Sequence, residues 1–97
     1  MLQQVLSQSP ADAFARYGLA MEYANLGKIQ EALQEFETLL KGHPDYVAGY
    51  FMAAQTLSKA NRNDEARKTL QNGISAARRT GNEHALGEMQ GMLADLG

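Results

Sequence analysis

The chain repeats itself at an offset of 34 residues. Pro10 and Pro44, Leu19 and Ala53, Ala20 and Ala54, Tyr23 and Leu57, Gly27 and Asn61, Glu31 and Glu65, Ala32 and Ala66, Phe36 and Leu70, and Leu40 and Ile74 all stand at that spacing. Each copy holds two segments whose apolar residues recur every three to four positions. A repeat of this length with two helical patterns inside it marks a solenoid, in which a unit buries its apolar face only on its neighbours. The expected fold is therefore all-α, an antiparallel helix-pair solenoid. The expected organisation is a single domain over 1–97, with an N-terminal helical remnant at 1–9, a first repeat at 10–43, a second at 44–79 and a capping helix at 82–96.

Composition narrows what such a fold can do. Ninety-seven residues, 44% hydrophobic and 21% charged, suit one soluble domain with a modest core. The chain has no cysteine, which removes disulfides, thiolate nucleophiles and Cys-based zinc sites together. No apolar run approaches the length of a membrane span, and Met1 to Ser9 lacks the basic start of a leader, so a cytoplasmic protein without membrane contact is expected. A net charge of −2 argues against general nucleic-acid affinity.

The turn chemistry places the helices. Ser9, Pro10 and Asp12 read as a helix start, with Ser9 as the cap and Asp12 at the positive end of the dipole. The helix should reach about Leu26 and end at Gly27, a residue that takes a left-handed turn without a Cβ penalty. Its partner runs from Lys28 to about Lys41, with Ala32, Leu33, Phe36, Leu39 and Leu40 on one face. The second unit repeats the plan from about Pro44 to Ala60. Asn61 takes the turn, and Asn63 is expected to cap a helix that buries Ala66, Leu70, Gly73, Ile74 and Ala77 and runs to Arg79. After Gly81 and Asn82, a last helix from Glu83 to Leu96 is amphipathic through Ala85, Met89, Met92, Leu93 and Leu96, and Gly87 and Gly91 within it suggest a close helix contact.

Gly27 ahead of a helix, Glu31 and Ala32 inside it, Phe36 four residues after that Ala, and His43-Pro44 at the end resemble the tetratricopeptide repeat, whose period is also 34 residues. The resemblance covers about residues 10–79 and departs from the pattern at Arg16, where a bulky aromatic is usual and Tyr50 stands in the second unit, at Asn61 in place of Gly, and at Gly73 in place of Ala. It implies a short right-handed superhelix, with first helices lining a concave face and second helices forming the back.

The first helix carries two apolar stripes where a surface helix needs one. Leu19, Ala20, Tyr23 and Leu26 form one. Phe14, Tyr17 and Met21, with Ala24 and Asn25 beside them, form the other and should face the groove; the matching places in the second unit are Ala48, Phe51, Gln55, Ser58 and Lys59, with Met52 adjacent. Such a stripe is either buried against neighbouring helices or open as a ligand groove, where aromatic and Met side chains offer broad contact to a peptide. Phe14, Tyr17, Met21, Asn25, Phe51, Met52, Gln55 and Lys59 are the candidate peptide-binding residues. The carboxylate clamp of some tetratricopeptide domains uses Lys, Asn and Arg on these helices; Tyr17, Met21 and Met52 stand in those places, so an apolar motif in another polypeptide is the expected ligand.

No catalytic residues, cofactor or metal are expected. His43 reads as a helix-start residue, and His84 with Glu88 forms an i, i+4 pair that lacks a third ligand at metal-site spacing. No Ser-His-Asp order or phosphate-cradling loop is present. The basic set Arg67, Lys68, Arg78 and Arg79 reads as a solvated back face or as a contact for an acidic partner. Two repeats are few for a solenoid, so a homodimer that fills the groove with its own copy is the alternative to a peptide-binding module.

Overall fold

The computed structural model describes residues 12–97, and within them the chain is all-α: α1 (Ala13–Asn25), α2 (Ile29–Gly42), α3 (Val47–Lys59), α4 (Asn63–Thr80) and α5 (Glu83–Leu96). The expected remnant at 1–9 and the Ser9 cap lie outside the described residues. The cap of α1 is Asp12, whose carboxylate accepts from the Ala15 N–H at 3.1 Å, and Asn82 does the same for α5 through the Ala85 N–H at 3.1 Å. Asn63, expected as a cap, is instead the first residue of α4. Arg62 holds the cap position without a side-chain bond, and Asp64 and Glu65 in the first turn supply the negative charge that the exposed N–H groups attract.

Three helices end by the same device. Gly27 (φ 77°), Asn61 (φ 62°) and Gly81 (φ 71°) are left-handed. In each case the next residue's N–H bonds back across the turn at 2.9 Å, from Lys28 to the Tyr23 carbonyl, Arg62 to Leu57 and Asn82 to Ala77. Orphan carbonyls are thereby satisfied, and the chain reverses into an antiparallel partner. The α2–α3 connection is different. His43 does not start a helix but ends α2, its N–H donating to the Leu39 carbonyl at 2.8 Å and its own carbonyl accepting from the Tyr46 N–H.

The helices pack mainly as the pairs α1 with α2 and α3 with α4, with α5 on α4, and α3 also touches α1, α2 and α5, whereas α2 and α4 make no close backbone approach to each other. The molecule is thus two layers, α1, α3 and α5 against α2 and α4, and its short dimension of 18 Å is that of two stacked helices. Two apolar clusters fill it. One gathers Ala20, Ala32, Phe36, Leu39 and Ala53 between the first unit and α3; the other gathers Leu57, Ala66, Leu70, Ile74, Ala77 and Met89 between the second unit and α5. Phe36, Leu39, Leu70 and Met89 are the largest fully buried side chains, and no buried side-chain polar atom among the described residues lacks a partner.

Gly73 is explained by the second cluster. A Cβ there would lie 2.6 Å from Met89 Sδ and 2.6 Å from Tyr50 Cβ, so only glycine lets α3, α4 and α5 meet at that point. Gly87 and Gly91 were expected to serve a close contact, but nothing approaches within 4 Å of a Cβ at either one. They lie on the outward side of α5 with Glu83, His84, Glu88, Gln90 and Asp95, all exposed. No described helix is long and apolar enough to cross a membrane.

Candidate functional site

Curvature follows from which helices touch. Neighbours in the α1, α3, α5 layer are in contact while α2 and α4 are splayed apart, so the first layer is the inner one and the second the outer. The residues of the expected groove all sit on α1 and α3. Phe14 is 76% exposed, Asn25 and Lys59 are exposed, and Tyr17, Met21, Phe51, Met52 and Gln55 are half-buried.

Packing divides this stripe. The Tyr17 ring meets Phe36 edge-on at 6.5 Å between centroids and Tyr46 at 5.3 Å, so it joins α1 to α2 and to the turn before α3. Burial pushes the Tyr17 phenol up, and the Tyr46 phenol is raised first by burial and then by the charges of Tyr17 and Asp12. Met21 and Met52 lie against the first cluster, and Phe51 lies against the second, which α5 covers. Tyr17 and Phe51 therefore serve the core with one side and face outward with the other. Phe14 and Lys59, at the margins, carry no comparable packing duty.

A second concavity lies on the outer layer, where α2 and α4 part. It measures about 500 Å³, with α3 as its floor, and shares none of the eight expected groove residues. Leu33, Leu40 and Tyr50 are its half-exposed apolar surface.

The basic set also divides. Arg79 donates to Asp45 at 2.6 and 2.9 Å and to the Pro44 carbonyl at 3.2 Å, tying the end of α4 to the α2–α3 turn. Arg67 is half-buried, bonds Asp64, and donates to the Leu96 carbonyl at 3.1 Å, which fastens the end of α5 onto α4. These two are internal ties; Lys68 and Arg78 are exposed. His84 lies 3.6 Å from Glu88 on the surface, and no group of three or more His, Cys, Asp or Glu among the described residues could hold a metal.

The geometry has counterparts. A family model described as tetratricopeptide repeat matches residues 23–86. The TPR repeat-containing protein PA0015 of Pseudomonas aeruginosa is 25% identical over 95 residues, which cover 98% of this chain and 90% of that protein. The solution structure of a tetratricopeptide repeat domain protein from Salinibacter ruber superposes with a TM-score of 0.85 at 34% identity, covering 90% of this chain and 88% of the other. Protein BPP2914 of Bordetella parapertussis superposes with a TM-score of 0.84 at 25% identity, over 98% of this chain and 83% of its own.

Proposed function

The chain belongs to the tetratricopeptide repeat family, and from that premise we propose that it is a non-catalytic module that holds a segment of another polypeptide against its inner face. Domains of this fold generally mediate protein–protein interaction. The observation that carries the proposal here is the 76% exposure of Phe14 beside half-exposed Tyr17, Met21, Phe51 and Met52 once the core is complete. A peptide laid across α1 and α3 covers that apolar row, while Asn25, Gln55 and Lys59 offer polar contacts at its margin.

Gln55 and Lys59 are the residues to change first, because Tyr17 and Phe51 also support the core. Panning a random peptide library on the wild type and on Gln55→Glu/Lys59→Glu tests the reading. Apolar sequences enriched on the wild type and lost on the variant support it, and equal enrichment on both overturns it. Sedimentation across a wide concentration range adds the competing outcome: a dimer dissociated by Phe14→Ser/Lys59→Glu means that a second copy fills the groove.

A further inference from the structure

Asn72–Gly73 is the one Asn-Gly step in the chain; Asn25, Asn61, Asn63 and Asn82 are followed by Leu26, Arg62, Asp64 and Glu83. A backbone nitrogen with no Cβ beside it approaches the carboxamide of the preceding asparagine freely, so this pair closes to a cyclic imide more readily than the other four. Such a weakness is ordinarily removed by putting any other residue in second place. Here the packing forbids it, since a Cβ at Gly73 would lie 2.6 Å from both Met89 Sδ and Tyr50 Cβ. The junction of α3, α4 and α5 therefore keeps a labile pair at its centre, with Asn72 exposed and Gly73 buried.

Helix geometry holds the pair unreactive. Both residues lie inside α4, where the Gly73 N–H is bound to the Thr69 carbonyl one turn back. Ring closure needs that N–H released and Asn72 rotated out of the helical backbone angles, and the contacts of Tyr50 and Met89 at Gly73 oppose both.

We propose that Asn72 is a deamidation site gated by the α4–α5 junction: it is unreactive while Met89 is seated against Gly73, and it reacts when α5 lifts and α4 opens. In the open form the Gly73 nitrogen attacks Asn72 Cγ, the bond from Cγ to Nδ2 breaks, and the Gly73 proton leaves with Nδ2 as ammonia. Water then opens the cyclic imide at either carbonyl, giving aspartate or isoaspartate, so one water is consumed for each ammonia released. This chemistry is far slower than the reclosing of a helix, and its rate follows the equilibrium population of the open form. The two products differ in consequence. Aspartate adds a negative charge at an exposed position and leaves the backbone as it was. Isoaspartate routes the main chain through the former side chain, adding a carbon between residues 72 and 73. The hydrogen-bond ladder of α4 then loses its register, Gly73 no longer meets Tyr50 and Met89, and the opening becomes irreversible.

The test follows deamidation of the full chain in mildly alkaline buffer, by mass spectrometry of peptides released at acidic pH, with the four other asparagines as internal references. Asn72 in the native chain should react at least about a hundred-fold more slowly than in denaturing urea, because only the open fraction reacts. Urea added below the unfolding midpoint should raise the logarithm of the rate in proportion to its concentration. Met89→Ala should raise the rate about ten-fold or more without urea. A native rate equal to that in denaturing urea, a rate indifferent to both added urea and Met89→Ala, or faster reaction at Asn61 or Asn82 overturns the proposal. The isoaspartate form, separated from the wild type by chromatography, should lose hydrogen-exchange protection in α5, whereas Asn72→Asp should keep it. Full protection of α5 in the isoaspartate form overturns the irreversibility.

Discussion

Arg16 and Tyr50 occupy the same place on the first helices of their units, and they hold it by opposite means. Arg16 reaches across to α2, where its guanidinium meets Glu35 at 2.6 Å with both side chains about one-fifth exposed. Tyr50 donates its phenol to the Pro44 carbonyl at 2.7 Å and lays its ring base over Gly73. On the second helices of the same units, the contrast recurs with size in place of charge. Leu39 is fully buried in the first unit and approaches Gly49 of α3, where a Cβ would sit 3.0 Å from it; Gly73 holds the equivalent position in the second unit and receives Met89 from α5. The knob is on the outer helix at the first junction and on the following helix at the second. The period therefore fixes where the contacts fall, while the element stacked next decides which side supplies the bulk.

The contrast breaks most severely if the knob of the second junction is removed. Met89→Ala empties a fully buried site between three helices, and the expected loss is about 2–5 kcal/mol. Hydrogen exchange should show α5 amides losing protection before those of α1 and α2, because α5 packs chiefly on α4. Uniform loss across all helices would mean that the units do not differ in this way.

Filling the hole instead of removing the knob is the next largest change. In Gly73→Ala the added carbon meets Tyr50 Cβ, which cannot retreat without its backbone. The overpacking cost of about 1–3 kcal/mol exceeds the roughly 1 kcal/mol of helix propensity gained. Gly87→Ala and Gly91→Ala are the controls: with open space around them, each should stabilise by about 0.5–1 kcal/mol. Urea midpoints of the three variants settle the sign, and a stabilised Gly73→Ala removes the argument for a size swap.

The ion pair of the first unit ranks below these. Arg16→Ala should cost about 1 kcal/mol, since the pair is partly screened and much of the loss is the packed arginine stem. Importing the residues of the second unit, Arg16→Tyr with Glu35→Thr, should remain within about 1 kcal/mol of wild type, because replacing both partners leaves no lone half-buried charge. The wild type should also lose more stability with added salt than the double variant does.

These residues show what the sequence could and could not disclose. The turns at Gly27, Asn61 and Gly81 were legible because a left-handed residue is a local backbone demand that only a few side chains meet. The stripes through Ala32, Phe36, Ala66 and Leu70 were legible because burial repeats with the helix period. Gly73 looked like a departure, since its reason lies in Met89, sixteen residues on. Asn63 was a good cap by type, yet the turn after Asn61 closes early enough for Arg62 to take that place. Arg67 and Arg79 read as a solvated set, because their partners, the Leu96 carbonyl and Asp45, are 29 and 34 residues away. For the candidate site, the pattern put Phe14, Tyr17 and Phe51 on the first helices but gave no sign that Tyr46 would cover Tyr17. The outer cleft left no mark in the sequence, since its two walls come from helices whose backbones do not approach each other closely.

The smallest effect is expected where the two units are most alike. Gly27 and Asn61 share a left-handed backbone and the same pair of return hydrogen bonds. A non-glycine residue there ordinarily costs about 1–2 kcal/mol, of which asparagine recovers part through its short polar side chain. Asn61→Gly relieves the remainder but gives the unfolded chain more freedom, an opposing term of about 0.4–1 kcal/mol. The net change should be a few tenths of a kcal/mol in either direction, and Gly27→Asn, with no atom within 4 Å of the new Cβ, should mirror it. Asn61→Ala keeps the backbone cost and lacks the polar side chain, so it should lose about 1 kcal/mol. If thermal melts instead place Asn61→Ala level with wild type, the turn is held by the helices around it rather than by its own residue, and the likeness of the two units is imposed from outside.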